Sequence, residues 1–319
     1  MSIPKNKKCN AVPRNNEIRF EIINRCQYNC KICKKNESTR RLLSMNFAYF
    51  KYLLDKILAE RNYYKNISFA GIGEPMLNGS IYEMIKYSKE KGLRPLLVTN
   101  GEYLTPNVFE DLKKAGLYSV RISFHGATPE GYSKMHGVVK ENFHKILKQI
   151  HEISKIRKPV KLLLTCVMVN KINKAPIQTW TKLFKGKVDL MEMWYAHNWC
   201  DGFKYRKEQK NKMKTCGRIE NGPLQIQVDG TVNACCFDWN GKLEFGDLQR
   251  NTVKEIFHSA EFKKIAKCHK TGNFKKSGLI CEHCDQRNEK KDDVLIYSSK
   301  FKVEDRVKRT STTYEKVMQ

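Results

Sequence analysis

The stretch Glu17-Ile-Arg-Phe-Glu-Ile-Ile23 alternates apolar and charged side chains, and the run Cys26-Gln-Tyr-Asn-Cys30-Lys-Ile-Cys33 follows it almost at once. Alternation with β-branched residues is typical of a β-strand, so we expect these cysteines in the loop that ends a strand. Apolar, β-branched runs recur along the chain and predict five further strands. They cover residues 66–70, 95–99, 119–124, 160–169 and 188–194.

The segments between the predicted strands carry apolar residues at helical spacing, most clearly in residues 47–58 and 146–153. Strands that alternate with helices predict right-handed βαβ units and a parallel sheet. Six such strands by residue 200 are fewer than the eight that close a full barrel. The predicted fold class is therefore α/β, with an open partial barrel or a doubly wound sheet.

The pattern changes from residue 201 onward. Leu224, Ile226 and Val228 alternate into the pair Asp229-Gly230, which predicts a β-hairpin. One amphipathic helix is then expected, with an apolar face made of Val253, Ile256, Phe257, Phe262 and Ile265. We therefore expect a core domain at 17–200, a small α+β domain at 201–289 and a charged peripheral tail at 290–319.

The composition describes a basic, folded protein. Of 319 residues, 60 are Lys or Arg and 33 are Asp or Glu, which gives a net charge of +27, while 40% are apolar. Residues 1–41 alone carry eleven basic and three acidic side chains. A lysine-rich surface and attraction to an anionic partner both explain this charge, and both interpretations stay open.

The sequence favours a cytoplasmic protein. It contains no apolar run of about 18 residues, and residues 1–10 lack the apolar segment of a signal peptide, so neither a membrane span nor secretion is expected. Twelve cysteines are more than a chain of this length ordinarily contains. In a reducing compartment, clustered cysteines more often bind metal than form disulfides.

The first cysteine group is Cys26, Cys30 and Cys33. Three close thiolates can hold three irons of a four-iron cluster, whereas such clusters normally take four cysteines. The fourth iron would then stay open to a substrate or cofactor, as in other catalytic metal sites. A zinc site completed by a distant histidine is the alternative.

This C-x3-C-x2-C spacing after the first strand resembles the radical S-adenosylmethionine (SAM) superfamily. The resemblance implies a partial (β/α)6 TIM-like barrel and a [4Fe–4S] cluster whose open iron is chelated by SAM. It further implies reductive cleavage of SAM to a 5′-deoxyadenosyl radical, which abstracts a hydrogen atom from a substrate. Ile32 departs from the family pattern, in which an aromatic residue commonly precedes the last cysteine.

The segment Gly71-Ile-Gly-Glu-Pro75 resembles the Gly-Gly-Glu-Pro motif of the same superfamily, with Ile72 in place of one glycine. By that resemblance Gly73 allows close approach of the cofactor, and Glu74 holds its amino group.

Other family positions follow the third and fourth strands. The resemblance implies that Asn100 and Ser123 line the SAM pocket, at the strand ends where open α/β sheets bind ligands. Relatives often carry an arginine near position 136 that pairs with the methionine carboxylate, so His136 or Lys134 is expected to replace it.

The second cysteine group is Cys216, Cys235, Cys281 and Cys284, enough for a closed site with four thiolates. Spacing alone leaves zinc as an alternative. The spacing around Gly230 resembles the SPASM extension of radical SAM enzymes, and the missing later cysteines fit its shortened twitch form. That form implies one auxiliary [4Fe–4S] cluster.

Five cysteines are left over. Cys236 is either a buried thiol or the hydrogen-atom donor of a radical epimerase, and Cys268 is a candidate fifth ligand. Small buried or peripheral thiols are expected at Cys9, Cys166 and Cys200. Residues 191–199, rich in aromatic and polar side chains, are expected either to contact substrate or to join the two domains.

The function expected from these features is hydrogen abstraction from a small molecule or peptide, with two-electron oxidation as the outcome. Epimerisation with Cys236 as donor is the alternative, and peptide crosslinking comes third. A flavodoxin or ferredoxin would supply electrons, and the substrate could be anionic. A basic nucleic-acid-binding protein with structural zinc sites is the alternative from another class.

Overall fold

Eleven strands form one mixed sheet in a computed structural model that describes residues 15–200, 202–207, 209–288, 293–298 and 301–308. The strands are β1 (Glu17–Phe20), β2 (Asn66–Phe69), β3 (Arg94–Thr99), β4 (Ser119–Ser123), β5 (Lys161–Met168), β6 (Leu190–Tyr195), β7 (Leu224–Ile226), β8 (Thr231–Asn233), β9 (Glu244–Asp247), β10 (Asp293–Ser298) and β11 (Phe301–Lys308). Strands β1 to β6 pair in sequence order, all parallel. The six predicted strands and the α/β class are confirmed.

In the described part of the chain, six helices connect the parallel strands β1 to β6 and pack against the sheet, and three more lie in the second region. They are α1 (Phe47–Glu60), α2 (Ile81–Glu90), α3 (Pro106–Lys114), α4 (Pro129–His136), α5 (Glu141–Ile156), α6 (Ile177–Phe184), α7 (Arg218–Asn221), α8 (Val253–Ile256) and α9 (Ala260–Thr271). Local sequence sets their starts: Asn46, Thr105 and Thr128 each accept a backbone N–H in the first turn with their side chain.

The second region continues the sheet instead of standing apart from it. Strand β7 pairs with β1 in parallel, while β7–β8 form the predicted hairpin, with Gly230 at a φ of 88° in its turn. At the other edge β10 pairs antiparallel with β6, and β11 pairs with β10. The predicted tail thus includes a two-stranded extension of the barrel sheet, and one apolar core runs through both regions.

The single amphipathic helix predicted for residues 253–265 is wrong. The chain forms α8 and α9, because the Ser259 side chain accepts the Phe262 N–H and starts a new helix. All five apolar residues of the predicted face are nevertheless buried. Among the described residues, no helix has the length and apolar character needed to cross a membrane.

The inner face of the open barrel is polar. Arg19 pairs with Glu17 on β1, Arg40 reaches Glu21, and an ion pair joins Arg121 on β4 to Glu192 on β6. Leu96, Leu163 and Leu190 close the opposite, amino-terminal end as a separate small apolar cluster. The polar interior therefore opens toward the carboxyl ends of the strands, where the candidate site lies.

Candidate active site and auxiliary metal centre

The loop that follows β1 carries Cys26, Cys30 and Cys33 and is bound to the end of α4. The Asn29 N–H donates to the His136 carbonyl at 3.2 Å, and the Lys31 N–H donates to the Met135 carbonyl at 2.8 Å. Gly137, at a φ of 67°, lies so close to Asn29 that an added Cβ would approach its carbonyl oxygen to 2.6 Å. The fold thereby holds the three thiols at the mouth of the barrel.

Burial raises the pKa of all three thiols, and for Cys26 and Cys30 the neighbouring cysteines raise it further. Lys35 lies close enough to oppose this effect. Metal ligands must be deprotonated, so binding of iron here releases protons. Three soft thiols in one loop fit a cluster with an open iron, as the spacing predicted.

Glu74 is 2% exposed and fixed by its neighbours. One carboxylate oxygen accepts from the Thr99 hydroxyl at 2.7 Å and from the Met76 N–H at 3.1 Å, and the other accepts from the Asn100 N–H at 2.7 Å. Burial raises the pKa of Glu74 to about 6, while these hydrogen bonds oppose the rise. A carboxylate with three donors retains lone pairs for an ammonium group.

Gly73 lets two backbone segments lie close together, and its expected contact with the cofactor remains a prediction. A Cβ at this position would lie 2.0 Å from the Ile23 carbonyl oxygen, and the Glu74 N–H next to it donates to the Arg25 carbonyl at 2.8 Å. The glycine lets the turn lie directly against the cysteine loop. It thereby fixes the position of Glu74 relative to the thiols.

Asn100 and Ser123 lie where the strand order predicted. The Asn100 side-chain amide donates to the Cys26 Sγ at 3.8 Å and accepts from Gln27 at 3.4 Å. Ser123 ends β4 opposite Thr165 and is half-buried. Asn100 therefore connects the third strand directly to the cysteine loop, and a SAM-binding role for both residues remains a prediction.

The structure contradicts the expected pairing of His136 with the methionine carboxylate. His136 is fully buried, its Nε2 accepts the His125 N–H at 3.0 Å, and its Nδ1 lies 3.5 Å from the Cys30 Sγ. Burial lowers its pKa well below the ordinary value, so the ring is neutral. His136 is therefore a hydrogen-bond partner of Cys30, and Lys134 is exposed on α4.

The second cysteine group also comes together. Cys216, Cys235, Cys281 and Cys284 line one cavity in the second region. Among the described residues no three His, Cys, Asp or Glu side chains are placed to hold one metal ion. A four-iron cluster binds each thiolate at a different iron, so its ligands surround a space, and these four thiols do so.

Cys200 lines the same cavity, a position that the expectation of a small buried or peripheral thiol did not include. Its Sγ lies 3.8 Å from the Cys284 Sγ. Trp199 and Cys200 have φ values of 47° and 50°, a left-handed backbone that turns the thiol inward. Cysteine spacing could not reveal this, because the signal is a rare backbone conformation.

The remaining cysteines differ in their surroundings. Cys236 is half-buried and accepts a hydrogen bond from Arg218 at 3.4 Å. Cys268 does not line the cavity, whereas Cys166 is buried in the core as expected. Cys9 lies outside the described residues. A ligand role for Cys268 gains no support from this arrangement.

Aromatic contacts show that the end of the segment 191–199 packs against the second region, while a substrate contact by its strand residues stays a prediction. The His197 ring lies 3.8 Å from the Phe237 ring, and Trp199 lies 5.8 Å from it. The Asn198 N–H donates to Asp285 at 3.1 Å. This segment therefore joins the two regions.

Comparison with known proteins identifies both regions. Residues 20–184 match the family model of the radical SAM superfamily, and residues 216–285 match the SPASM iron-sulfur cluster-binding domain. An S-adenosyl-L-methionine-dependent 2-deoxy-scyllo-inosamine dehydrogenase of Niallia circulans is 22% identical over 271 residues, 84% of this chain and 92% of that protein. The crystal structure of BtrN in complex with AdoMet and 2-DOIA has a TM-score of 0.59 at 19% identity, covering 86% and 94% of the two chains.

An AdoMet-dependent heme synthase of Methanosarcina barkeri is 27% identical over 169 residues, 53% of this chain and 46% of that protein. The chain thus spans about half the length of several relatives that it matches. The two family models imply a [4Fe–4S] cluster with SAM and an auxiliary iron–sulfur cluster, and their placement on the two cysteine groups remains a prediction. The thiols that the structure brings together fit both groups.

Proposed function

Because the chain belongs to the radical SAM superfamily and carries a SPASM domain, we propose that it catalyses the two-electron oxidation of a C–H group in a small molecule or peptide. Cys26, Cys30 and Cys33 would hold a [4Fe–4S] cluster, which together with SAM would supply the radical chemistry for hydrogen abstraction from the substrate. Zinc-containing nucleic-acid binding, the alternative from another class, has no support in these matches.

The observation that carries the proposal is the closed auxiliary site of Cys216, Cys235, Cys281 and Cys284. In an oxidation the substrate loses one hydrogen atom, one proton and one electron, and the electron needs an acceptor within the protein. A site with four thiols and no need to bind SAM suits that role. The similarity to a dehydrogenase along most of the chain supports the same reaction class.

The other residues of the site hold the cofactor, fix the cysteine loop and orient the substrate. Glu74 would accept from the cofactor ammonium, while the Asn100 amide contacts Cys26 and keeps the cysteine loop in place. His136 donates from its buried ring toward Cys30. The ion pair of Arg121 and Glu192 lies in the barrel interior, where it could recognise a polar substrate.

The proposal also includes the partners and the compartment. An external flavodoxin or ferredoxin would supply the electron that SAM cleavage consumes, and the basic surface favours an acidic donor or an anionic substrate. A cytoplasmic location is supported by the eleven described cysteines, all of which are free. The epimerase alternative is not favoured by the comparisons, since one relative that matches 84% of the chain is a dehydrogenase.

The test uses the full chain, reconstituted anaerobically with iron and sulfide, and a panel of aminocyclitols with 2-deoxy-scyllo-inosamine as the first compound. We expect a product lighter by two hydrogens that forms with 5′-deoxyadenosine in equal amount. Cys281→Ala should abolish the product but leave SAM cleavage intact. Cys268→Ala, the control, should leave both product formation and SAM cleavage unchanged.

Two outcomes would contradict the proposal. A product of unchanged mass in ordinary water that gains one unit in deuterium oxide, and is lost in Cys236→Ala, indicates epimerisation. Two zinc ions per chain with no iron or sulfide after purification would overturn the assignment of the protein as an enzyme.

A further inference from the structure

The auxiliary cavity contains more polar groups than four ligands require. Its lining includes five thiols and the imidazole of His269, although a four-iron cluster takes four cysteines. Cys200 is the additional thiol, since the match to the SPASM domain covers residues 216–285, which include Cys216, Cys235, Cys281 and Cys284 but not Cys200. The functions of Cys200 and His269 are therefore unassigned.

Cys200 is held in place by a dedicated set of contacts. The left-handed backbone at Trp199 and Cys200 turns the thiol into the cavity. Asp285 anchors both sides of this turn, because it accepts the Asn198 N–H at 3.1 Å and pairs with Arg206 at 3.2 Å. A left-handed conformation is costly for residues other than glycine, so its use at two consecutive positions indicates a requirement for the thiol.

The contacts of the Cys200 thiol are those of a hydrogen-bond donor. Its S–H is directed at the Cys284 Sγ, 3.8 Å away. Ligands of a four-iron cluster occupy separate corners, so two thiols in hydrogen-bond contact suit a donor and a ligand better than two ligands. The neighbouring ligand Cys235 accepts a hydrogen bond from the Phe237 N–H at 3.4 Å.

His269 presents a second unassigned group. The ring is 2% exposed, and its Nδ1 lies 2.9 Å from the Thr215 hydroxyl. That hydroxyl oxygen already accepts the Gly217 N–H at 3.0 Å, so its proton is free to point at Nδ1. The hydrogen of the neutral ring then sits on Nε2, which is buried and has no hydrogen-bond partner among the described residues.

We propose that the Cys200 S–H and the His269 Nε2–H are hydrogen-bond donors to the sulfur atoms of the auxiliary cluster, and that they raise its reduction potential. Hydrogen bonds to cluster sulfurs are among the factors that set this potential, because they stabilise the more negative reduced state. Arg218 adds a positive charge near the same thiols. Cys200 and His269 are positioning residues that favour electron acceptance at this site.

The inference rests on an auxiliary cluster at these cysteines but not on any substrate, so it can fail while the proposed oxidation holds. The measurement is an anaerobic redox titration followed by electron paramagnetic resonance. It uses the full chain with Cys26, Cys30 and Cys33 replaced by Ala, so that only the auxiliary cluster gives a signal.

Cys200→Ala and His269→Leu are each expected to reduce the equilibrium constant for reduction about tenfold, a shift of about 59 mV to more negative potential for one electron. Cys200→Ser and His269→Gln retain a donor and should restore most of the shift. Cys268→Ala is the matched control, since Cys268 lies beside His269 in sequence but does not line the cavity.

Iron and sulfide content should stay at the level of the parent protein in every variant. Loss of the cluster from Cys200→Ala and Cys200→Ser, with unchanged circular dichroism, would show that Cys200 is a ligand and overturn the proposal. Unchanged potentials in Cys200→Ala and His269→Leu would overturn it as well.

Discussion

Glu74 shows how one buried side chain can combine a structural and a binding function. Its three hydrogen bonds come from Thr99, Met76 and the Asn100 backbone, and together they keep a carboxylate in a place that water hardly reaches. Burial still outweighs them, because the pKa of the carboxyl rises to about 6. The charge of Glu74 therefore depends on pH in an accessible range.

We predict that SAM affinity falls as the pH drops below about 6. There the free protein protonates Glu74, and the proton must leave before the carboxylate can bind an ammonium, so the dissociation constant should rise about tenfold per pH unit. Equilibrium dialysis of SAM against the reconstituted protein between pH 5 and 8 measures this. Glu74→Gln should bind at least tenfold more weakly at pH 7.5 and lose the dependence.

The exposed Glu83→Gln is the control and should follow the parent protein. An unchanged pH profile in Glu74→Gln would assign the dependence to another group.

Local spacing in the sequence predicts which cysteines lie together and places Glu74 near the first group, and the functions of these residues remain predictions. The cysteines and Glu74 sit within short motifs at strand ends, so their neighbourhood is set by the order of the strands. His136 was misassigned because its partners, His125 and Cys30, are brought to it by the fold. Cys200 was missed because its position depends on Asp285, 85 residues later in the chain.

At the level of elements, the buried strands were predictable and the helix boundaries were less so. Strands β1 to β6 follow short runs rich in apolar residues, and their burial leaves few alternatives to a strand assignment. The five apolar residues of the predicted face, from Val253 to Ile265, are all buried in both helices, so apolar periodicity could not show the break between α8 and α9. The Ser259 hydroxyl, which accepts the Phe262 N–H, sets the break between the two helices.

The β7–β8 hairpin is fixed to α1 at its turn, and this contact can be tested. The Tyr49 hydroxyl donates to the Asp229 carbonyl at 2.8 Å, and a Cβ on Gly230 would lie 2.1 Å from that hydroxyl oxygen. Gly230→Ala therefore adds a clash to the cost of a positive φ. We expect it to lower the free energy of unfolding by about 2 to 4 kcal/mol in urea titrations.

Gly92→Ala is the matched control, because Gly92 also has a φ of 78° but no heavy atom within 4 Å of the added Cβ. It should cost only about 1 kcal/mol. Equal effects of the two substitutions would mean that the hairpin turn is not held against α1.

At the scale of the whole molecule, one sheet carries both cysteine sites. β1 leads into the catalytic loop and also pairs with β7, which precedes Cys235 by a single hairpin. The two sites are thus connected through adjacent strands instead of a flexible linker. This continuity explains why the apolar core does not divide at residue 200, where the sequence pattern changes.

The net charge of +27 leads to a last prediction, which concerns the rate of reduction by the electron donor. Long-range attraction raises the association rate of oppositely charged proteins by about 10 to 1000-fold, and salt screens it with a Debye length of about 10 Å at 0.1 M. The second-order rate of reduction by an acidic flavodoxin, measured by stopped-flow absorbance, should fall at least about tenfold between 50 and 500 mM NaCl. Reduced methyl viologen, a small cation, is repelled by the same surface, so its rate should rise with salt. A rate that does not respond to salt with flavodoxin would assign the charge to a function other than recognition of the donor.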